Sequence, residues 1–304
     1  MTSAADFPTP AADALRTSEA LAAEIRAATE RAGGWLDFTR YMELALYAPG
    51  LGYYSAGSAK FGAAGDFVTA PELSGALGRA LARTLEHELA GLTAPAVLEL
   101  GAGSGALAAQ ILDALEARGD ARTAYRILEP SADLRERQQR ALQRFGNRVA
   151  WLDRLPETPF QGAIVANEVV DALAVACFVK RADGARPLGV ELRAGRFAWA
   201  EGPNDAELAD AVAAIERELD APLEQGYRSE ICRPLPAWIA ALARILERGA
   251  VLLVDYGLTR REYYHPQRSA GTLVCHYRHR AHDDPFLYPG LQDISAWMDF
   301  SACA

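Results

Sequence analysis

AVLELGAGSGALAAQILDALEA, residues 96–117, decides how this chain is read. AVLEL (96–100) is a short apolar run, Gly101, Gly103 and Gly105 follow it, and the remainder turns into a helix. A strand that meets a helix through glycines lets backbone approach a ligand closely, because no Cβ atom intervenes. The same turn would also serve as a plain strand–helix junction. Its context favours a ligand, since open α/β sheets bind theirs beyond the carboxyl ends of the strands.

Working outward, the alternation continues. YRILEP (125–130) and VAWLDRL (149–155) read as the second and third strands, with a helix, SADLRERQQRAL, between them. GAIVANE (162–168) is a fourth strand, AWIAALARILERG (237–249) a helix and AVLLVDYG (250–257) a fifth strand. Strands separated by helix-length segments imply βαβ units in a parallel, doubly wound α/β sheet covered on both faces. This core is expected over 93–171 and 236–257. Residues 172–235 interrupt it as a β-rich insertion forming a substrate wall, with Asp183-Gly184 and Ala194-Gly195 as turns.

Residues 1–92 read as a helical N-terminal region. Ser18 caps a helix through Ala32, and Asp37 starts a second. The Gly-rich stretch 50–67 is a loop or hairpin. Thr69 and Glu72 have capping-box spacing and open a helix to about Ala90. GDFVTAPE (65–72) is a plausible lid, with the helix start at Thr69 approaching a cofactor. Residues 258–304 hold no clear long element.

Composition narrows the classes. A chain of 304 residues allows about two domains at roughly 150 residues each. It is 50% hydrophobic and 23% charged, which excludes a disordered tail protein. Thirty-one Lys+Arg against forty Asp+Glu give −9, disfavouring nucleic acid and leaving a basic protein partner open. Four scattered cysteines read as buried, reduced thiols and, with no signal core and an acid-containing N-terminus, predict a cytoplasmic protein. No run approaches the ~18 apolar residues of a membrane span, so no membrane insertion is expected. Oligomeric state is left open.

Two ligands compete for the glycine turn. Gly101-x-Gly103-x-x-Ala106 fits a dinucleotide fingerprint. Glu99, however, precedes the glycines. A carboxylate there suits the ammonium and sulfonium of S-adenosylmethionine (SAM) and would repel a nearby pyrophosphate. Glu129 ends the second strand, where an acid can accept from both ribose hydroxyls, although both ligands carry ribose. Asp153, ending the third strand, suits an adenine amine or is a solvated loop acid. Methyl transfer needs alignment and a polar site at the nucleophile. At the strand tips the candidates for that site are Glu168 first, then Asn167, Asp171, Asp255, Tyr256 and Glu230. Asp171 reads equally as a helix cap, and Tyr256 as a packing aromatic. His265, Cys275, His276, His279, His282, Asp283 and Asp284 tempt a metal reading, but Arg278 and Arg280 oppose a cation and no C-x-x-C occurs, so no metal is expected.

Several strings carry a resemblance: GDFVTAPELS (65–74), LELGAGSGAL (98–107), LEPSADLRERQ (128–138), ANEVVDALAV from Ala166, VDYGLTRREYYHPQRSAGTLVCHYRHR (254–280) and PGLQDISAWMDF (289–300). In this order they resemble the MidA family of SAM-dependent methyltransferases, which includes the mitochondrial complex I assembly methyltransferase. The resemblance implies a class I methyltransferase fold, SAM as cofactor and protein arginine methylation assisting respiratory complex I assembly. It adds Pro130 and Ser131 to the cofactor residues. A small-molecule methyltransferase and a non-catalytic assembly factor are the alternatives. Trp297 stands where the family usually has His, and family chains run beyond residue 304, so the final strands of the sheet are expected to be missing.

Overall fold

The computed structural model describes residues 7–56 and 69–303, in two compact units. One unit comprises residues 59–170 and 237–255 and is built on a five-stranded sheet. Its elements are α1 (Ala76–Leu89), β1 (Ala96–Leu100), α2 (Ala106–Ala117), β2 (Ala124–Leu128), α3 (Ala132–Leu142), β3 (Val149–Leu152), β4 (Phe160–Asn167), α4 (Leu235–Arg244) and β5 (Leu246–Val254). All pairs are parallel, in the order β5-β4-β1-β2-β3. The chain winds outward from β1 to β3, then returns to the other side of β1 with β4. That reversal is a topological switch point, and it lies at the glycine turn.

Side chains alternate across the sheet with period two. Val97, Tyr125, Ile127, Ala163 and Val165 face one buried cluster, into which α1 and α2 insert Leu81, Leu85, Ile111, Leu112 and Leu115. Leu98, Leu100, Phe160 and Ile164 face the other, closed by Leu242 and Ile245. Glycines set the spacing where backbones approach. A Cβ on Gly162 would lie 1.8 Å from the Ala96 carbonyl oxygen, and one on Gly78 would lie 2.3 Å from Gln110 Cβ.

The other unit comprises residues 1–58, 171–236 and 256–304. Its main sheet is antiparallel. Gly184–Arg193 pairs with Trp35–Asp37, Ala176–Arg181 and Arg196–Glu201, and Arg228–Ile231 completes it. Ala194 and Gly195 both have positive φ, +49° and +76°, the geometry of a tight hairpin turn. Helices Ala12–Arg31, Phe38–Tyr47 and Ala206–Glu216 belong to this unit, and 258–304 contributes only short elements.

Three local expectations are corrected, and one strand is added. The first helix begins at Ala12, so Ser18 is a buried residue inside it and not its cap. Trp35–Asp37 is a strand that the sequence did not reveal, because three residues carry no period. Thr69 makes no side-chain capping bond, and the helix expected to run from it to Ala90 breaks at Ser74-Gly75 into Ala70–Leu73 and α1. The fifth strand occupies Leu246–Val254, earlier than expected, so Asp255 and Tyr256 lie past its end. Of the expected lid (65–72), residues 65–68 lie outside the described residues, as do residues 57–67 of the Gly-rich stretch.

Candidate cofactor site

The glycine turn follows from its backbone. Gly101, Gly103 and Gly105 have φ of +64°, +53° and +83°, a region in which L side chains are strained. Space adds a second constraint at Gly101, whose Cβ would lie 2.9 Å from Val169 Cγ2. Gly105 is the N-cap of α2 and offers no side-chain acceptor, so the first amides of that helix point toward the turn unsatisfied by a cap.

Two buried carboxylates flank the turn. Glu99, 2% exposed, accepts a hydrogen bond from the Tyr125 hydroxyl at 2.7 Å. Burial pushes its pKa up to about 7, opposed by the Tyr125 bond. Glu129 is 4% exposed; its Oε1 accepts from the Ser131 amide at 2.9 Å and its Oε2 from Gln138 Nε2 at 3.0 Å. Ser131 has a second task, capping α3 through a 3.4 Å bond from the Leu134 amide. Pro130 links these two residues and is exposed.

Asp153 stands apart in character. Its side chain is 84% exposed and paired with Arg135 at 2.5 Å. Arg135 also donates to the Glu129 carbonyl at 2.9 Å, so the pair fastens the tip of β2 beside that of β3.

At the tips of β4 and β5, Asn167 ends its strand with a buried Oδ1 that has no partner among the described residues. Glu168 takes φ +52°, rare for a residue with a Cβ, while its amide donates to the Val254 carbonyl at 2.9 Å. Asp255 explains how that bend is held: its Oδ2 accepts from the Val169 and Val170 amides at 3.2 and 2.9 Å. Asp255 therefore anchors the backbone that carries Glu168. Thr69 belongs to the same unit, ahead of its short helix.

Asp171, Tyr256 and Glu230 belong to the other unit. The Asp171 carbonyl accepts from the Ala296 amide at 3.0 Å. Tyr256 is 60% exposed, and its carbonyl accepts from the Met298 amide at 2.8 Å. Glu230 is buried in a cage of donors: the Tyr263 hydroxyl at 3.0 Å, and the Thr272 amide and hydroxyl at 2.6 and 2.5 Å. These bonds give Glu230 a structural task, tying 263–272 to the antiparallel sheet. No group of three or more His, Cys, Asp or Glu placed to hold a metal ion occurs among the described residues.

Sequence reading missed Gln138, Trp151 and Tyr125. Gln138 is fully buried and bonds both Glu129 and the Gly103 carbonyl. Its one signal was position: it shares the buried face of α3 with Leu142, four residues on.

The parallel sheet, its switch point and the glycine turn between two buried acids define a class I methyltransferase fold. Comparison with known proteins agrees. The family described as "Putative S-adenosyl-L-methionine-dependent methyltransferase" matches residues 76–304, and the chain belongs to it. A crystal structure from Burkholderia thailandensis bound to S-adenosyl-homocysteine is 47% identical, with a TM-score of 0.91 over 98% of this chain and 78% of that one. The protein arginine methyltransferase NDUFAF7 homolog, mitochondrial, of Caenorhabditis elegans is 26% identical over 89% of this chain and 68% of its own length. Protein arginine methyltransferase NDUFAF7, mitochondrial, of Mus musculus is 28% identical over 88% and 65%. The chain thus spans about two thirds of these curated relatives. Their names correct the expectation of a cytoplasmic location, since they are mitochondrial proteins. No helix among the described residues is long and apolar enough to cross a membrane.

Proposed function

We propose that this chain transfers the methyl group of SAM to arginine side chains of a protein. The observation that carries the cofactor half is the glycine turn at the switch point, with positive φ at all three glycines and buried acids on either side. The residues present fit the group. The turn lets backbone come close, Glu99 answers a cationic ligand and Glu129 answers a ribose diol. Bound there, SAM supplies a methyl group already activated by its sulfonium.

The chain's own residues do the remaining work by positioning. Glu168, on its anchored bend, orients a guanidinium through charge-assisted hydrogen bonds. Asn167 adds a carbonyl acceptor, and Asp255 keeps the bend in place. Support for an arginine acceptor comes from the names of the mitochondrial relatives. The net charge of −9 suits a basic protein substrate. A role in respiratory complex I assembly is the narrower form of the proposal and rests on the family resemblance alone.

Incubation with methyl-labelled SAM and a lysate tests the reading. Label on protein arginines is the expected result. Label confined to small molecules overturns the acceptor, and a chain that binds neither SAM nor S-adenosylhomocysteine overturns the cofactor.

A further inference from the structure

Gln138 is a completely buried side chain with three partners, each at a different strand tip. Its Nε2 donates to the Gly103 carbonyl and to Glu129 Oε2, both at 3.0 Å. Its Oε1 accepts from Trp151 Nε1 at 2.9 Å. These partners fix which way the amide faces. An indole N–H can only donate, and a carbonyl and a carboxylate can only accept. Reversing the amide would set its oxygen against two acceptors and its NH2 group against a donor. Trp151 therefore holds Gln138 in the one orientation that serves the glycine turn and Glu129 together.

We infer that Gln138, oriented by Trp151, is a positioning residue that locks the Glu129 carboxylate for a ribose diol and so gives the site its preference for ribonucleoside ligands. The inference rests on the reading of this site as the SAM pocket. With Ser131 donating to one oxygen and Gln138 to the other, the plane of the carboxylate is set before any ligand arrives. A diol needs acceptors of fixed direction, and a carboxylate able to rotate loses that advantage. Gly105 packs on the same side chain, a Cβ there lying 3.4 Å from Gln138 Cγ, so the turn and the acid share one support.

Calorimetric titration with S-adenosylhomocysteine and with its 2′,3′-dideoxy analogue tests this in the parent chain, Trp151→Phe and Gln138→Met. The parent should prefer the ribose form. Each variant should bind S-adenosylhomocysteine about tenfold or more weakly, the size of a lost bond to a charged group, and the analogue within about twofold of the parent. Collapse of the preference is the signature, because general loosening of the fold weakens both ligands alike. Equal weakening of both, no weakening of either, or a parent that binds both alike overturns the inference. A parent that binds neither overturns the SAM reading itself. Should Gln138→Met fail to fold, Trp151→Phe decides, since it removes the N–H while keeping a smaller aromatic ring in the same place.

Discussion

Glu168 carries its side chain on a left-handed backbone, φ +52°, which costs about 1–3 kcal/mol and persists only where surroundings enforce it. Asp255 does the enforcing through the two amides that follow. Glycine accepts that backbone without strain, so Glu168→Gly should leave the thermal midpoint unchanged or raised while labelled methyl transfer falls at least about tenfold. Glu99 makes a different prediction. Burial raises it from 4.5 to about 7, favouring the neutral carboxyl in the folded chain. Its contribution to stability is therefore complete below about 4.5 and lost as pH rises through about 7. Urea unfolding of the unliganded chain at pH 5 and pH 8 should show a loss that Glu99→Gln narrows. An unchanged loss in the variant would assign the pH dependence elsewhere. Residue chemistry was partly legible beforehand: both buried acids stand where the sequence put an acid beside a glycine turn. Gln138 was not, because a glutamine in a polar helix looks like every other exposed glutamine until its neighbours are known.

At the scale of elements, parallel strands depend on what glycine leaves out. Gly162 passes so close to β1 that a methyl group would enter the Ala96 carbonyl oxygen, and neither strand can retreat from a sheet packed on both faces. Gly162→Ala should therefore abolish cooperative unfolding, read by circular dichroism, whereas Gly119→Ala, with no atom within 4 Å, should shift it only by the strain of its φ of +86°. Removing the Asp255 carboxylate leaves the Val169 and Val170 amides without that acceptor, and Asp255→Ala should cost about 1–3 kcal/mol in urea unfolding. The strands β1 and β4 were visible as apolar runs because both of their faces are buried, whereas β2 alternates and β3 lies at the edge. Boundaries were less so. The helix expected to continue from Thr69 breaks at Ser74-Gly75, a break that spacing alone did not signal. Trp35–Asp37 exists as a strand only because Gly184–Arg193 pairs with it, a partner about 150 residues away.

For the molecule as a whole, the excess of acids over bases predicts a substrate that arrives by charge. Methyl transfer to an arginine-rich peptide should weaken as salt rises from 50 to 500 mM, through the apparent KM and not the maximal rate, since screening acts on encounter. An apparent KM insensitive to salt would remove electrostatics from recognition. Family kinship was legible in short strings spread along the chain, and the match over residues 76–304 takes in all of them but GDFVTAPELS. Location was not: acids near the N-terminus argued for the cytoplasm, and the mitochondrial relatives contradict it. By itself, the sequence determined the alternation of strands and helices, the glycine turn and the acids beside it, because each is a local pattern. Only the tertiary structure decided which of the remaining acids hold backbone in place. Glu230 and Asp255 carry the same charge in sequence as Glu99 and Glu129. What separates them is the donors that folding brings to each, from residues as distant as Thr272 for Glu230 and Val170 for Asp255.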